Sequence, residues 1–300
     1  MIRDLVTLSR DSPLSTYDSA RSWAMNFFGN TQQKNEVDQA IWGGFNVQQF
    51  SFAFLAGYQA ALSKMFPGIA SGKLKALCVS EENGAHPKAI ETSLHNSKIN
   101  GLKTYVTAGT EAEYLMVLCR TNEISNGRQM LKMVHLPVAM QQIQISDFEL
   151  PFMREIRHGS VNLTETPIES DQILEGDGYK LYVKPFRTYE DIFLGISYQS
   201  MLLRQAIAYN WEETLRDKLI LNIFTLKNLS YLAPSDPETV LLVQAAENNF
   251  EQLLPIIEAQ ISLHALPTFK ADWETNKRLF SMGKKLKELR LSKSRSHIFG

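Results

Sequence analysis

Ala76–Thr121 reads ALCVSEENGAHPKAIETSLHNSKINGLKTYVTAGTEAEYLMVLCRT, and its reading decides the fold. KALCVS (75–80) is a short apolar run, KTYVTA (103–108) is rich in β-branched and aromatic residues, and YLMVLCR (114–120) is a fuller buried strand. Asn100-Gly101 lies between two β-prone stretches, so a hairpin turn is expected there. Working outward, QMLKMVHLPV (129–138), QQIQISDF (141–148) and GSVNLTE (159–165) continue the series. Several short strands at close intervals predict an antiparallel sheet or barrel.

On both sides of this region the period becomes helical. Ser15 or Thr16 can cap a helix running to Phe28, before Gly29-Asn30, and a second helix is expected from about Asn46 to Met65, closed by Pro67-Gly68. Beyond the strands, one helix is expected from near Arg187 through Tyr209. Pro237, with Ser235 or Asp236 as cap, starts another. Its apolar stripe is Val243, Phe250, Leu254, Ile257 and Ile261, and Pro267 precedes a further helix through about Leu291. The pattern is α+β: an N-terminal helical segment over 1–70, a β-domain over 71–185 and a C-terminal helical bundle over 186–300.

The composition is that of an ordinary globular chain, 44% hydrophobic and 21% charged, with a formal net charge of -1. That balance argues against general nucleic-acid binding, which needs a basic excess. The last residues are basic: Lys284, Lys285, Lys287, Arg290, Lys293 and Arg295 face only Glu288, which reads as a solvated helix end or a contact with an acidic or phosphate-bearing partner. The two cysteines, Cys78 and Cys119, sit in apolar runs and read as small buried hydrophobes. No run has the length of a membrane span, and MIRDLVTLSRDSPLS has no apolar core of leader type, so a cytoplasmic location is expected.

Other chemistries leave no complete signature. FPGIASGKL is one residue short of a phosphate loop and has Leu74 where a magnesium-binding hydroxyl belongs. No G-x-S-x-G elbow is present, and the six histidines show no paired ligand spacing.

Two stretches carry a family resemblance. Ala76–Thr121 resembles the β-domain of the acyl-CoA dehydrogenases, in which a T-E-P…G-S-D loop leads through a strand into an N-G turn, then a K-x-[WF]-I-[TS]-N-G strand end and an apolar strand closing on A-R-T. From Val161 to about Tyr209, VNLTETPIESDQILEGDGYKLYVKPFRTYEDIFLGISYQSMLLRQAIAY resembles the family's V-P-x-x-x-x-L-G-x-x-x-G-[FY] connection and its first C-terminal helix. A short bacterial branch with G-A-H-P in the first loop and K-P-F-R before the helix is similar too.

The resemblance implies an acyl-CoA dehydrogenase-like fold and a flavoprotein oxidoreductase of fatty acid metabolism. With FAD as cofactor, such an enzyme desaturates Cα–Cβ of an acyl-CoA or similar thioester. Glu190 matches the catalytic base, which in the isovaleryl-type and long-chain-type branches stands near the start of this helix, and Arg187 is its electrostatic neighbour. Thr107 and Tyr105 match residues that contact or pack by the flavin, and Ser80 and Glu81 match the T-E pair of the first loop. Gly84, Ala85 and His86 stand where G-S-D holds the CoA portion, with Ala85 in place of the serine and His86 of the aspartate. The R-x-x-F-G, Q-x-x-G-G-x-G and Y-E-G segments of the family have no counterpart here. Partners implied are a second copy, as a homodimer, or a homologue, as a heteromer. The alternatives are a catalytically silent subunit on this scaffold, binding an acyl thioester or a full-length partner, and an unrelated helical and β protein.

Overall fold

The structure, a computed structural model, describes residues 14–125 and 127–300. The stretch before Leu14, read above for a leader, lies outside the described residues. The chain divides into two compact units.

The sheet unit comprises Asp18–Gln32 and Met65–Arg187. Its helix α1 (Ala20–Thr31) starts later than the sequence suggests, because Ser19 holds the extended cap conformation and accepts from the Ser22 N–H. The Glu111 carboxylate accepts from the Ala20 and Arg21 N–H groups, a favourable place for an anion. α1 runs through Gly29, whose helical cost of about 1 kcal/mol is outweighed by burial of Trp23 and Phe27.

Seven strands follow: β1 (Lys75–Cys78), β2 (Ser93–His95), β3 (Lys98–Thr107), β4 (Tyr114–Ser125), β5 (Arg128–Pro137), β6 (Ile143–Phe148) and β7 (His158–Pro167). They form one sheet in the order β1-β4-β2-β3-β7-β6, with β5 on β4. Most neighbours are antiparallel as expected, but β1 and β2 run parallel to β4, so the sheet is mixed. Leu115–Cys119 of β4 is completely buried, and both cysteines are free and buried.

The expected Asn100-Gly101 turn is displaced. The hairpin turns at Asn96 and Ser97, whose φ angles of 48° and 57° suit a two-residue turn of the type strands prefer. Asn100 and Gly101 lie inside β3 instead. Asn100 accepts from the Glu165 N–H and donates to its carboxylate, and any side chain at Gly101 would overlap Thr92.

The helical unit comprises the described residues up to Tyr17, Gln33–Lys64 and Thr188–Gly300. Its helices are α2 (Glu36–Phe45), α3 (Phe50–Met65), α4 (Lys184–Ala208, all but its first turn), α5 (Glu213–Leu229), α6 (Pro237–Glu251), α7 (Leu254–His264), α8 (Pro267–Asn276) and α9 (Lys284–Phe299). A π-helical turn, Tyr179–Val183, precedes α4. α2, which the sequence reading left out, is capped by Asn35, whose side chain accepts from the Asp38 N–H. Gly44 is there for packing, since a Cβ would overlap Ser197 of α4. Gly57 of α3 likewise lies against the Phe193 carbonyl, 2.7 Å from where its Cβ would be. Asp236 and Pro237 start α6 as expected, but the long apolar stripe is shared by α6 and α7, which part near Pro255. The helix expected from Pro267 is cut by Gly283, at φ 72°. Phe280 then packs into an aromatic cluster with Phe50, Tyr198, Phe250 and Trp273.

Candidate functional site

The end of β3 carries the site residues of the sheet unit. Register is lost between Lys103 and Val106, a β-bulge, and Tyr105 adopts φ 56° there. Left-handed backbone costs a bulky residue about 1–2 kcal/mol and clusters at functional sites. The result is an aromatic ring 68% exposed, supported edge-on by Phe148 at 5.5 Å. Ala108 and Gly109 are also left-handed, and together they end the strand just after the nearly buried Thr107. The Thr104 N–H donates to the Ser80 carbonyl, which brings the loop after β1 alongside. The buried Thr104 hydroxyl finds no partner among the described residues. Ser80 is thus bonded to the strand next to Tyr105, with Thr107 two residues further along it.

Glu81 is in the same loop but is turned inward. Its carboxylate accepts from Lys103 Nζ at 2.6 Å, the Thr92 hydroxyl and the Glu91 and Thr92 N–H groups. Burial alone raises its pKa, yet the Lys103 bond and charge and the other donors hold it below the ordinary carboxylate value. Its side chain builds the loop, with four donors already on the carboxylate. Lys103, the lysine that opens the K-x-[WF]-I-[TS]-N-G match, builds this loop with Glu81; it is fully buried and also donates to the Val79 carbonyl.

Gly84 closes a tight turn on Glu81 at φ 97°. Ala85 is half-buried, and His86 is exposed and accepts from the Lys88 N–H as the cap of a short 3₁₀ turn, so its present role is turn chemistry. Arg187 stacks its guanidinium over Tyr179 at 5.9 Å.

In the helical unit, Glu190 is half-buried in α4, three residues after Arg187 and on the same helical face. Burial, then the charges of Glu190 and Asp272, push the Tyr198 phenol upward. Its neighbour Asp191 pairs with Lys287 and Arg290 of α9, and Lys287 pairs with Glu247 of α6. The basic C-terminal stretch is thus tied into the unit at Lys287 and Arg290. Among the described residues, no group of three or more His, Cys, Asp or Glu is placed to hold a metal ion.

A flavin ring suits what the bulged end of β3 offers: an exposed aromatic face and strand-end backbone. The segments that would hold the pyrophosphate and adenosine ends in the resembled family are missing from this sequence. The fit is to the ring half of the cofactor.

No protein-family profile and no curated protein matches this chain. Solved structures do. The methoxymalonyl extender-unit biosynthesis protein FkbI is 14% identical, with a TM-score of 0.67 over 99% of each chain. The prolyl acyl carrier protein oxidase AnaB is 14% identical, with a TM-score of 0.66 over 97% of this chain and 96% of that one. Butyryl-CoA dehydrogenase from Megasphaera elsdenii is 10% identical, with a TM-score of 0.62 over 97% of each. The architecture assembled above from caps, bulges and close-packed glycines is therefore the acyl-CoA dehydrogenase fold, spanning nearly the whole chain.

Proposed function

We propose that this chain is a flavin-dependent oxidoreductase that desaturates an acyl thioester between Cα and Cβ. The observation that carries the reading is the bulged end of β3, where backbone strain presents Tyr105 as an exposed ring on the strand that ends at Thr107. In this reading Tyr105 and Thr107 seat the flavin ring, and bound FAD supplies the acceptor for the Cβ hydride. Glu190 takes the Cα proton on its carboxylate. Arg187 supplies positive charge on the same helical face.

Ala85 and His86 replace the serine and aspartate of the resembled CoA loop, which favours a thioester not gripped there: an acyl-CoA held otherwise, or an acyl group on a carrier protein, as AnaB's name records for that protein. The missing nucleotide-end segments favour a second reading, a catalytically silent subunit that binds a thioester or a full-length homologue. Purification with excess FAD, then anaerobic titration with butyryl-CoA, separates the two. A yellow protein whose flavin band bleaches supports the enzyme. A yellow protein that does not bleach with CoA or carrier-protein thioesters supports the silent subunit, and a protein that stays colourless overturns the flavin assignment.

A further inference from the structure

A cavity of about 330 Å³ lies inside the helical unit, walled by α4, α5, α6, the turn 277–281 and α9. That volume is in the range of small-molecule sites. Much of its wall is apolar: Leu194, Leu226, Phe250, Phe280, Met282 and Leu291. Gly195 lies in the floor, where a Cβ would meet the end of Leu226 at 2.8 Å, so glycine keeps the space open. Lys284, Glu288 and Arg295 stand exposed at the rim.

The charges of the wall cancel among themselves. Lys287 pairs with Asp191 at 3.0 Å and with Glu247 at 2.6 Å, Arg290 pairs with Asp191, and Lys284 lies 3.7 Å from Glu251. Glu288 and Arg295 at the rim are of opposite sign. A charged guest would enter without a counter-ion and lose its hydration, a large penalty in such a site. A neutral guest loses little, and the Glu247 carboxylate, the Lys287 ammonium and the Gln244 and Asn248 amides give it both donors and acceptors.

We infer that this cavity of the helical unit binds a neutral, largely apolar small molecule bearing one hydroxyl or primary amide group. The probes are 1-hexanol, hexanoate and hexylammonium, titrated calorimetrically into the full chain at pH 8.5. Hexanol is expected to bind saturably at one site per chain, with both ions at least ~10-fold weaker. Glu247→Gln leaves the wall one positive charge in excess and is expected to bring hexanoate level with or ahead of hexanol; Lys287→Gln is expected to do the same for hexylammonium. Should either variant fail to fold, lowering the wild-type pH to 6 protonates Glu247 and is expected to produce the hexanoate switch by itself. Met282→Trp, at the exposed rim, is expected to weaken hexanol binding by ~10-fold or more through occlusion. No saturable hexanol binding, a wild-type preference for either ion at pH 8.5, or an order of affinities unmoved by both the charge variants and pH would overturn the assignment.

Discussion

Each unit buries charge, and the two do it differently. In the sheet unit Lys103 and Glu81 are 0% and 7% exposed, and Glu81 receives donors from Lys103, Thr92 and two backbone N–H groups. The carboxylate is saturated and its pKa falls. In the helical unit Asp191, Glu247, Lys287 and Arg290 form an alternating cluster, but among the described residues no backbone or hydroxyl donor supports Glu247. Burial first, then the nearby Asp191 charge, push that carboxyl up to about 7 despite Lys287 and Arg290. The difference lies in the neighbours: Glu81 has Lys103 with neutral donors beside it, whereas Glu247 shares its cations with a second carboxylate, Asp191, and they do not repay its burial.

The largest test breaks the saturated pair. Lys103→Met strands Glu81 as an uncompensated buried charge and should cost about 3–5 kcal/mol in denaturant unfolding. The double change with Glu81→Leu should recover much of that, and a single-variant loss below about 1 kcal/mol would show the pair to be unimportant. Gly57→Ala comes next: its Cβ would press on the Phe193 carbonyl 2.7 Å away, and overpacking of this kind should cost about 1–3 kcal/mol.

Acidity then sharpens the contrast. The Glu81 pKa is depressed on folding, so its contribution is present above the unfolded value and is lost as pH falls through the folded one. Glu247 has the opposite sign. Its folded pKa of about 7 lies above the unfolded value, so its contribution is full in mild acid and is lost as pH rises through about 7. Urea midpoints from pH 5 to 8 should decline for the wild type relative to Glu247→Gln, which mimics the protonated acid; parallel curves would contradict the assignment. The smallest effect is a control outside both clusters: Asp236→Ala removes the α6 cap and should cost about 1 kcal/mol without changing either pH response.

Much of the fold was legible from local chemistry. Asp236-Pro237, the apolar run of β4 and the period of α4 each announce their element, because burial and capping are read directly from residue type. Where reading failed, the deciding partner was distant in sequence. Asn100-Gly101 looks like a turn, yet Glu165 and Thr92 hold it inside β3. Gly44 lies in a helix the sequence reading left out, and its need for glycine comes from Ser197, far along the chain. In the site, Tyr105 and Thr107 stand out through their motif, while the inward turn of Glu81 depends on Lys103, whose aliphatic stem hid its role in a strand. The charge cluster around Glu247 unites residues from three helices, and only the basic stretch near Lys287 hinted at it.

The functional proposal stands or falls on Glu190. Anaerobic bleaching of the flavin band by an acyl thioester should be lost in Glu190→Gln while the protein stays yellow, and Glu190→Asp should restore a slow fraction of it. Undiminished bleaching by Glu190→Gln would remove Glu190 from the chemistry and contradict the account.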